Sequence, residues 1–425
     1  MQRVRPEELD LRPYVCAGDA IVTSQGTAEP RTLTEALIAQ STSLGSVTIF
    51  LGGGSFSGTF SPERNGGHKL LGYGAVGDHR RLIQAGVMEV IPTHVSCLPR
   101  LIGNEIRCDV AMVQVSRPRP DGTFSYSLSC DYTAEAVNRA RVVLAELNPN
   151  APDTYCETSL DPAQIDVLVE ADRVLIQMPR AAVSGLERAL AGHIAQFIAD
   201  RSTLQIGYGA IPEAILASLG DRSDLGLHTG VMGDSAVELI ERGVITNSYK
   251  EVSPGVSVTG ALWGTDRLYD FVDRNPLVRL SGIRQTHAPE VLDRLSRLVS
   301  INSAIEVDLT GQVNAEQVGS EYIGAVGGQV DFVRAGARAV GGASVIALAS
   351  TARGGTVSKI VARLDGPVTT ARSDVDVIAT EHGAVRLKGC SLPTRVKLMI
   401  GLADARFRED LLRAAFEVYG VRIGS

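Results

Sequence analysis

No Cys-x-x-Cys pair occurs in this chain. Its six cysteines, at 16, 97, 108, 130, 156 and 390, are too scattered for a zinc knuckle or a disulfide framework. Reduced thiols and no metal are the expectation. Long apolar runs are missing too: no stretch reaches about 18 uncharged apolar residues, and the start, MQRVRPEELDLRPYV, carries charges and prolines instead of a leader-like run. That pattern excludes a membrane partner and points to the cytoplasm. Nor is there an excess of positive charge. Lys and Arg number 41 against 48 Asp and Glu, a net charge of −7, whereas a nucleic-acid binder needs a concentrated basic face to neutralise phosphates. Short-period repeats and low-complexity tracts are absent, which removes solenoid and linker-rich architectures.

What remains is the composition of a globular enzyme, 44% hydrophobic and 21% charged over 425 residues, a length that predicts two domains. Short apolar runs suited to buried parallel strands recur at Ala20 to Thr23, Ser46 to Leu51, Glu89 to Ile91, Val110 to Val115, Val142 to Leu147 and Arg173 to Ile176. Helical patterns lie between them, at Thr32 to Gln40 and Thr133 to Arg141, each opening on a threonine that suits an N-cap. The second half repeats the style at Leu225 to Leu227, Val299 to Asn302, Ala304 to Asp308, Ser344 to Ala349, Thr356 to Ile360 and Val375 to Ala379. Strand and helix alternating in this way predict an α/β fold, two domains with mainly parallel sheets and a site in the cleft between them. The helix pattern at Ser184 to Asp200 sets the boundary: residues 1–182 form one domain and residues 183–425 the other.

Three segments are candidates for chemistry. Gly207-Tyr208-Gly209-Ala210-Ile-Pro212 follows a strand-like run and precedes a helix-like one, so its glycines let backbone N–H groups approach a ligand at a helix start; a plain tight turn is the competing reading. Pro212 and the lack of a later glycine disfavour a dinucleotide fingerprint. Gly327-Gly328-Gln329, within Gly324 to Phe332, offers a second set of exposed amides for a thioester oxygen or a pantetheine amide; a loop that merely tolerates tight packing is the competing reading. In Ser300 to Asn314, alternation puts Asn302, Ala304, Glu306 and Asp308 on one strand face.

Taken in order, these segments and others resemble the acetyl-CoA hydrolase/transferase family, which includes 4-hydroxybutyrate and butyryl-CoA:acetate CoA-transferases. The resemblance runs from Gly26-Thr-Ala-Glu29-Pro30 through Asp109 to Ser116, Ser129-Cys-Asp131-Tyr132-Thr133, Gln205 to Leu216, Leu225 to Gly243, Ser300 to Glu316 and Gly327 to Phe332, as far as Thr380-Glu381-His382-Gly383. It implies coenzyme A as part of an acyl-CoA substrate, a homodimer, and a glutamate that attacks the thioester and carries CoA. It also implies that Gly207 to Ala210 supply oxyanion-stabilising amides and that Gly327, Gly328 and Gln329 line the thioester. The glutamate belongs in a His-Ser/Thr-Glu-Met pattern, which here reads His228-Thr229-Gly230-Val231. A related branch places it near an Asn-His-Pro-Glu stretch, where this chain has Arg284.

Glycine has no side chain to attack or to carry CoA, whereas oxyanion donors still work without a nucleophile. The leading expectation is direct transfer of the acyl group from CoA to an amine, a hydroxyl or water admitted to the volume left vacant beside the thioester. His228, whose ordinary pKa is near neutrality, is the first candidate for moving the acceptor's proton. Asp234 and Glu29 follow, with Glu306 and Glu316 behind them. Lys359 is the nearest candidate for the CoA phosphates, with Arg80, Arg81 and Lys388 also available. Two alternatives stay open: a genuine carboxylate CoA-transferase that recruits Glu29 or Glu306, and a CoA-binding protein without catalysis.

Overall fold

The computed structural model describes residues 1–421. Eight parallel strands make the first sheet: β1 (Gln2–Val4), β2 (Ala20–Thr23), β3 (Thr48–Phe50), β4 (Lys69–Gly72), β5 (Met88–Val90), β6 (Val110–Val115), β7 (Val142–Leu147) and β8 (Val167–Glu170). They lie in the order β1-β8-β7-β6-β2-β3-β4-β5. The central strand β6, VAMVQV, is buried at every position, as a parallel strand covered on both faces must be.

A second sheet has the same size. Its strands are β9 (Thr203–Ile206), β10 (Gly226–Met232), β11 (Ser257–Leu262), β12 (Val278–Leu280), β13 (Leu298–Ser303), β14 (Ala343–Ala347), β15 (Val377–Thr380) and β16 (Gly383–Arg386). Their order is β12-β11-β10-β9-β13-β14-β15-β16, parallel throughout except for the antiparallel edge strand β16.

In each sheet the chain works outward from one strand in one direction and then returns to build the other side. The reversal falls between β2 and β6 in the first sheet and between β9 and β13 in the second. Loops leaving the carboxyl ends of strands diverge at such a point, which opens a crevice there. The two crevices face each other. Backbone bonds sew their rims together: Cys130 N–H to Gly260 O at 3.0 Å, Leu262 N–H to Leu128 O at 2.9 Å, Ala75 N–H to Gly324 O at 2.9 Å and Val95 N–H to Gly327 O at 3.0 Å. One apolar core continues across this junction, from Phe50 and Tyr132 to Leu262 and Ile283. Among the described residues no helix is long and apolar enough to cross a membrane.

Several local expectations need correction. Arg173 to Ile176 is not a strand. The last strand of the first sheet is β8, where Val167 to Val169 pair with Leu144 to Glu146, while Arg173 leaves the sheet to meet Glu35. Helices α1 (Arg31–Ala39) and α2 (Thr133–Arg139) form, but their threonines do not cap them: the cap positions are Pro30 and Tyr132, without side-chain bonds. The first amides are held from elsewhere. Glu146, on β7, accepts from Thr32 N at 2.6 Å and Asp131 accepts from Thr133 N at 3.1 Å. A capping group 114 residues away leaves no local signature. The single face expected over residues 302 to 308 is also broken. β13 ends at Ser303, and Glu306–Asp308 joins a separate small sheet with Val313–Asn314 and Ile360–Val361.

Candidate active site

A cavity of about 320 Å³ lies where the two crevices meet, at the lower end of the range for small-molecule sites. That is room for the reacting end of a ligand rather than for a whole nucleotide cofactor. Each half lines it differently.

From the first half come Gln25, just after β2, with Gly53, Tyr73 and Asp131. Asp131 accepts from Gln25 Nε2 at 2.5 Å, Ser129 Oγ at 2.8 Å and Thr133 Oγ1 at 3.1 Å. Gln25 Oε1 in turn accepts from Gly53 N at 2.8 Å and the Tyr73 hydroxyl at 3.0 Å. Burial pushes the Asp131 carboxyl above its ordinary value, against the pull of those donors, Gln25 foremost. The network closes on itself, and nothing in the residues around Gln25 or Gly53 announces it as a unit.

From the second half come two glycine loops. Gly207 and Tyr208 follow β9 and lead to Gly209, whose φ of +128° suits glycine, at the N-cap of α4 (Ala210–Ser218). Gly327, at φ +57°, and Gly328 lead into α7 (Gln329–Arg338). Two helix starts therefore meet the cavity, and their free amides favour developing negative charge. Space beside Gly207 is open, with no atom within 4 Å of where a Cβ would stand. Gly230 lies on β10, and Thr229 Oγ1 bonds Ile206 O at 2.7 Å to hold β10 against β9.

The volume expected to be vacant beside Gly230 is filled. A Cβ there would come within 2.9 Å of Cε1 and 3.0 Å of Nε2 of His287, and a Cβ on Gly328 within 2.6 Å of the same Nε2. His287 follows the short helix α6 (Ile283–Thr286); its Nδ1 lies 2.8 Å from Thr286 Oγ1 and its ring packs on Phe332, 4.8 Å between centroids. Burial, reinforced by His228 nearby, pushes its pKa down to about 3, so the imidazole is neutral at pH 7. The sequence carried a signal for this residue only as part of the stretch Gly282 to Glu290.

Of the residues expected at the site, Gly207, Tyr208, Gly230, Gly327, Gly328 and Gln329 line this cavity. Gly209 and Ala210 stand one step back, at the N-cap and first turn of α4. Gln329 touches the cavity with its amide already engaged, by Ser303 O at 2.8 Å and Thr370 Oγ1 at 3.0 Å.

The expected polar groups are elsewhere. His228 faces a separate small cavity with Arg279 and Gln285. Its Nε2 is 3.1 Å from Gln285 O, and burial together with the Lys250 charge pushes it down to about 3, so it does not titrate near neutrality. Glu29 is locked between the hydroxyls of Thr34 (3.0 Å), Ser55 (2.9 Å) and Ser57 (2.6 Å). Asp234 holds the start of the next helix through Thr265 N at 3.1 Å. Glu306 bonds Asn314 at 3.0 Å, and Glu316 bonds Thr369 at 2.7 Å. Lys359 is turned inward onto Ala304 O at 3.1 Å, and Arg80 pairs with Glu321 at 3.7 Å.

Two mainly parallel sheets meeting at one cavity, with two glycine loops of the second half on its wall, define a two-lobed α/β enzyme. This chain belongs to the acetyl-CoA hydrolase/transferase family: residues 4–178 match the model of its N-terminal domain and residues 264–415 that of its C-terminal domain. It is similar to 4-hydroxybutyrate coenzyme A transferase of Clostridium kluyveri, 38% identical over 353 residues, 82% of each chain. Among solved structures it is similar to RipA from Yersinia pestis (TM-score 0.92, 32% identity, 98% of each chain). It is also similar to 4-hydroxybutyrate CoA-transferase from Porphyromonas gingivalis (TM-score 0.83, 30% identity, 98% of each chain). An enzyme of this family acting on acyl-CoA is thereby established.

Proposed function

We propose that this enzyme passes the acyl group of a CoA thioester directly to an amine, a hydroxyl or water, without an enzyme-bound glutamyl-CoA intermediate. The observation that carries this reading is Gly230, which presents no carboxylate to the cavity, with a neutral imidazole edge in the place where such a side chain would extend. The acyl carbonyl would sit between the two glycine loops, its oxygen facing the amides around Gly207 and Gly328. The acyl-pantetheine end occupies the 320 Å³ cavity, and the nucleotide portion lies outside it.

The character of the lining supports a neutral acceptor. Among the described residues neither Lys nor Arg lines the cavity, and the one acidic group there, Asp131, is buried. A carboxylate entering it would lose its hydration without gaining a cation, which is costly. Glu29 and Glu306, the glutamates that a conventional transferase would have to recruit, spend their oxygens on fixed partners outside the cavity.

The relatives favour a second reading, transfer of CoA between carboxylates, since the Clostridium kluyveri protein is named a coenzyme A transferase. A panel of acyl-CoAs offered with amine, hydroxyl, water and carboxylate acceptors separates the two by thiol release and product identity. Release of free CoA with amide, ester or acid as product is expected. Exchange of CoA onto the added carboxylate, with no release of thiol, contradicts the proposal.

A further inference from the structure

We propose that His287 is the group that accepts the proton of the incoming acceptor and thereby selects acceptors that carry one; this rests on the direct-transfer reading above. The imidazole is held by three restraints. Thr286 Oγ1 lies 2.8 Å from Nδ1 and itself donates to Gly282 O at 3.3 Å. We assign the threonine proton to that carbonyl, so that Nδ1 carries the ring proton and donates it to Oγ1, leaving a lone pair on Nε2. The ring face packs on Phe332. Its Nε2 edge lies between Gly230 and Gly328, the two positions where any side chain would strike it. Among the described residues Nε2 has no hydrogen-bond partner, and His287 lines the cavity at the junction of β10 with the loop that opens α7.

A ring so placed faces both the thioester position and whatever enters beside it. An acceptor H–X–R donates its hydrogen to Nε2 while X attacks the acyl carbon. The C–X bond forms and the C–S bond breaks. The proton taken by Nε2 then passes to the departing thiolate. The sum is acyl–S-CoA + H–X–R → acyl–X–R + HS-CoA, with the imidazole returned to its neutral form. A carboxylate has no hydrogen to donate and would set its own lone pairs against that of Nε2, so the same atom that activates an amine or hydroxyl disfavours a carboxylate. His228 does not fill this role because it opens on the other cavity.

The test uses the full-length enzyme with acetyl-CoA and hydroxylamine, following CoA release and acetohydroxamate. His287→Ala and His287→Gln should each lower kcat about 100-fold with KM for acetyl-CoA changed by less than about threefold, since the ring moves a proton rather than holding CoA. Added imidazole should restore a substantial part of the rate to His287→Ala, whose excised ring leaves a hole open to the cavity, and none to His287→Gln. Thr286→Val, which loses only the hydroxyl that fixes the tautomer, should fall about tenfold. Retention of kcat by both His287 variants overturns the proposal. So does rescue of the glutamine variant, which signals packing instead of proton transfer.

A parallel measurement holds even if acetyl-CoA turns over poorly. In protein labelled with 15N-histidine, the His287 Nε2 resonance at pH 7 should be that of an unprotonated nitrogen and should shift on saturation with acetyl-CoA; a protonated or unmoved Nε2 overturns the proposal. A glutamyl-CoA adduct isolated from the unmodified enzyme would instead remove the direct-transfer reading itself, whatever the His287 variants do.

Discussion

The two halves build sheets of equal size, yet their contributions to the cavity are opposite in kind. The first half supplies a closed polar network, Asp131 to Gln25 to Tyr73 and Gly53, in which each oxygen named is engaged. The second supplies open groups: amides at two helix starts, unoccupied space beside Gly207 and an imidazole edge with no partner among the described residues. A satisfied network fixes shape, because breaking it exposes buried groups, whereas unsatisfied groups at a cavity wall are available to a substrate. The first half is the mould and the second half holds the reactive surface.

Variants in the second half should therefore damage turnover more than stability, and the largest effect is expected at Gly328. Gly328→Ala puts a Cβ 2.6 Å from His287 Nε2 and displaces the ring, which should reduce kcat by about 100-fold or more and cost only about 1–3 kcal/mol of stability. Steady-state kinetics alongside denaturant unfolding measures both; equal activity would show that the ring's position is immaterial.

The first half should show the reverse. Asp131→Ala leaves Gln25, Ser129 and Thr133 without their acceptor and should destabilise the fold by about 3 kcal/mol. In the fraction that remains folded, kcat should change less than in Gly328→Ala. If Asp131→Ala instead abolishes turnover in folded protein, the division between mould and reactive surface fails.

Acid sharpens the contrast. His228 has a folded pKa of about 3 against an ordinary 6.5, so the unfolded chain takes up that proton first as pH falls. Its contribution is complete above about pH 6.5 and drains towards pH 3, at about 1.4 kcal/mol per pH unit. Glu146 in the first half is pushed up to about 7 by burial. Its contribution is complete below its ordinary 4.5 and is lost as pH rises through about 7. His228→Gln should accordingly flatten the loss of stability between roughly pH 6 and pH 4 by about that slope, read from unfolding midpoints; an unaltered slope would contradict the assignment.

The smallest effect belongs to Lys359. Its ammonium is spent on Ala304 O, so Lys359→Met should change KM for acyl-CoA by less than about twofold, as steady-state kinetics would record. A tenfold rise would restore it as a phosphate ligand.

Much of the frame was legible because parallel strands buried on both faces write continuous apolar runs. Ala20–Thr23, Val110–Val115 and Val142–Leu147 stand in the structure with the bounds their sequences suggest. The glycine loops were legible as turns into helices, since Gly209 and Gly327 take positive φ just before α4 and α7, a backbone that favours glycine. The long-range assignments were not. Glu146 caps α1 from 114 residues away, and no local pattern encodes such a bond. His287 is the sharpest case. Gly230 reads in sequence as a missing side chain, and only the folded arrangement brings a ring from 57 residues further on into that place. His228, two residues from Gly230, was the more visible histidine, but the fold turns it onto a separate cavity beside Arg279 and Gln285.

The central claim is that no carboxylate of the enzyme carries CoA during turnover. Incubation with acyl-CoA, borohydride reduction and peptide mass spectrometry address it directly, with the variant Gly230→Glu/His287→Ala, in which the ring no longer blocks the new side chain, as the positive control. The unmodified enzyme should release CoA and yield no modified glutamate peptide, while the double variant should yield one at position 230. A reduced glutamyl peptide from the unmodified enzyme, formed as fast as it turns over, would contradict the account.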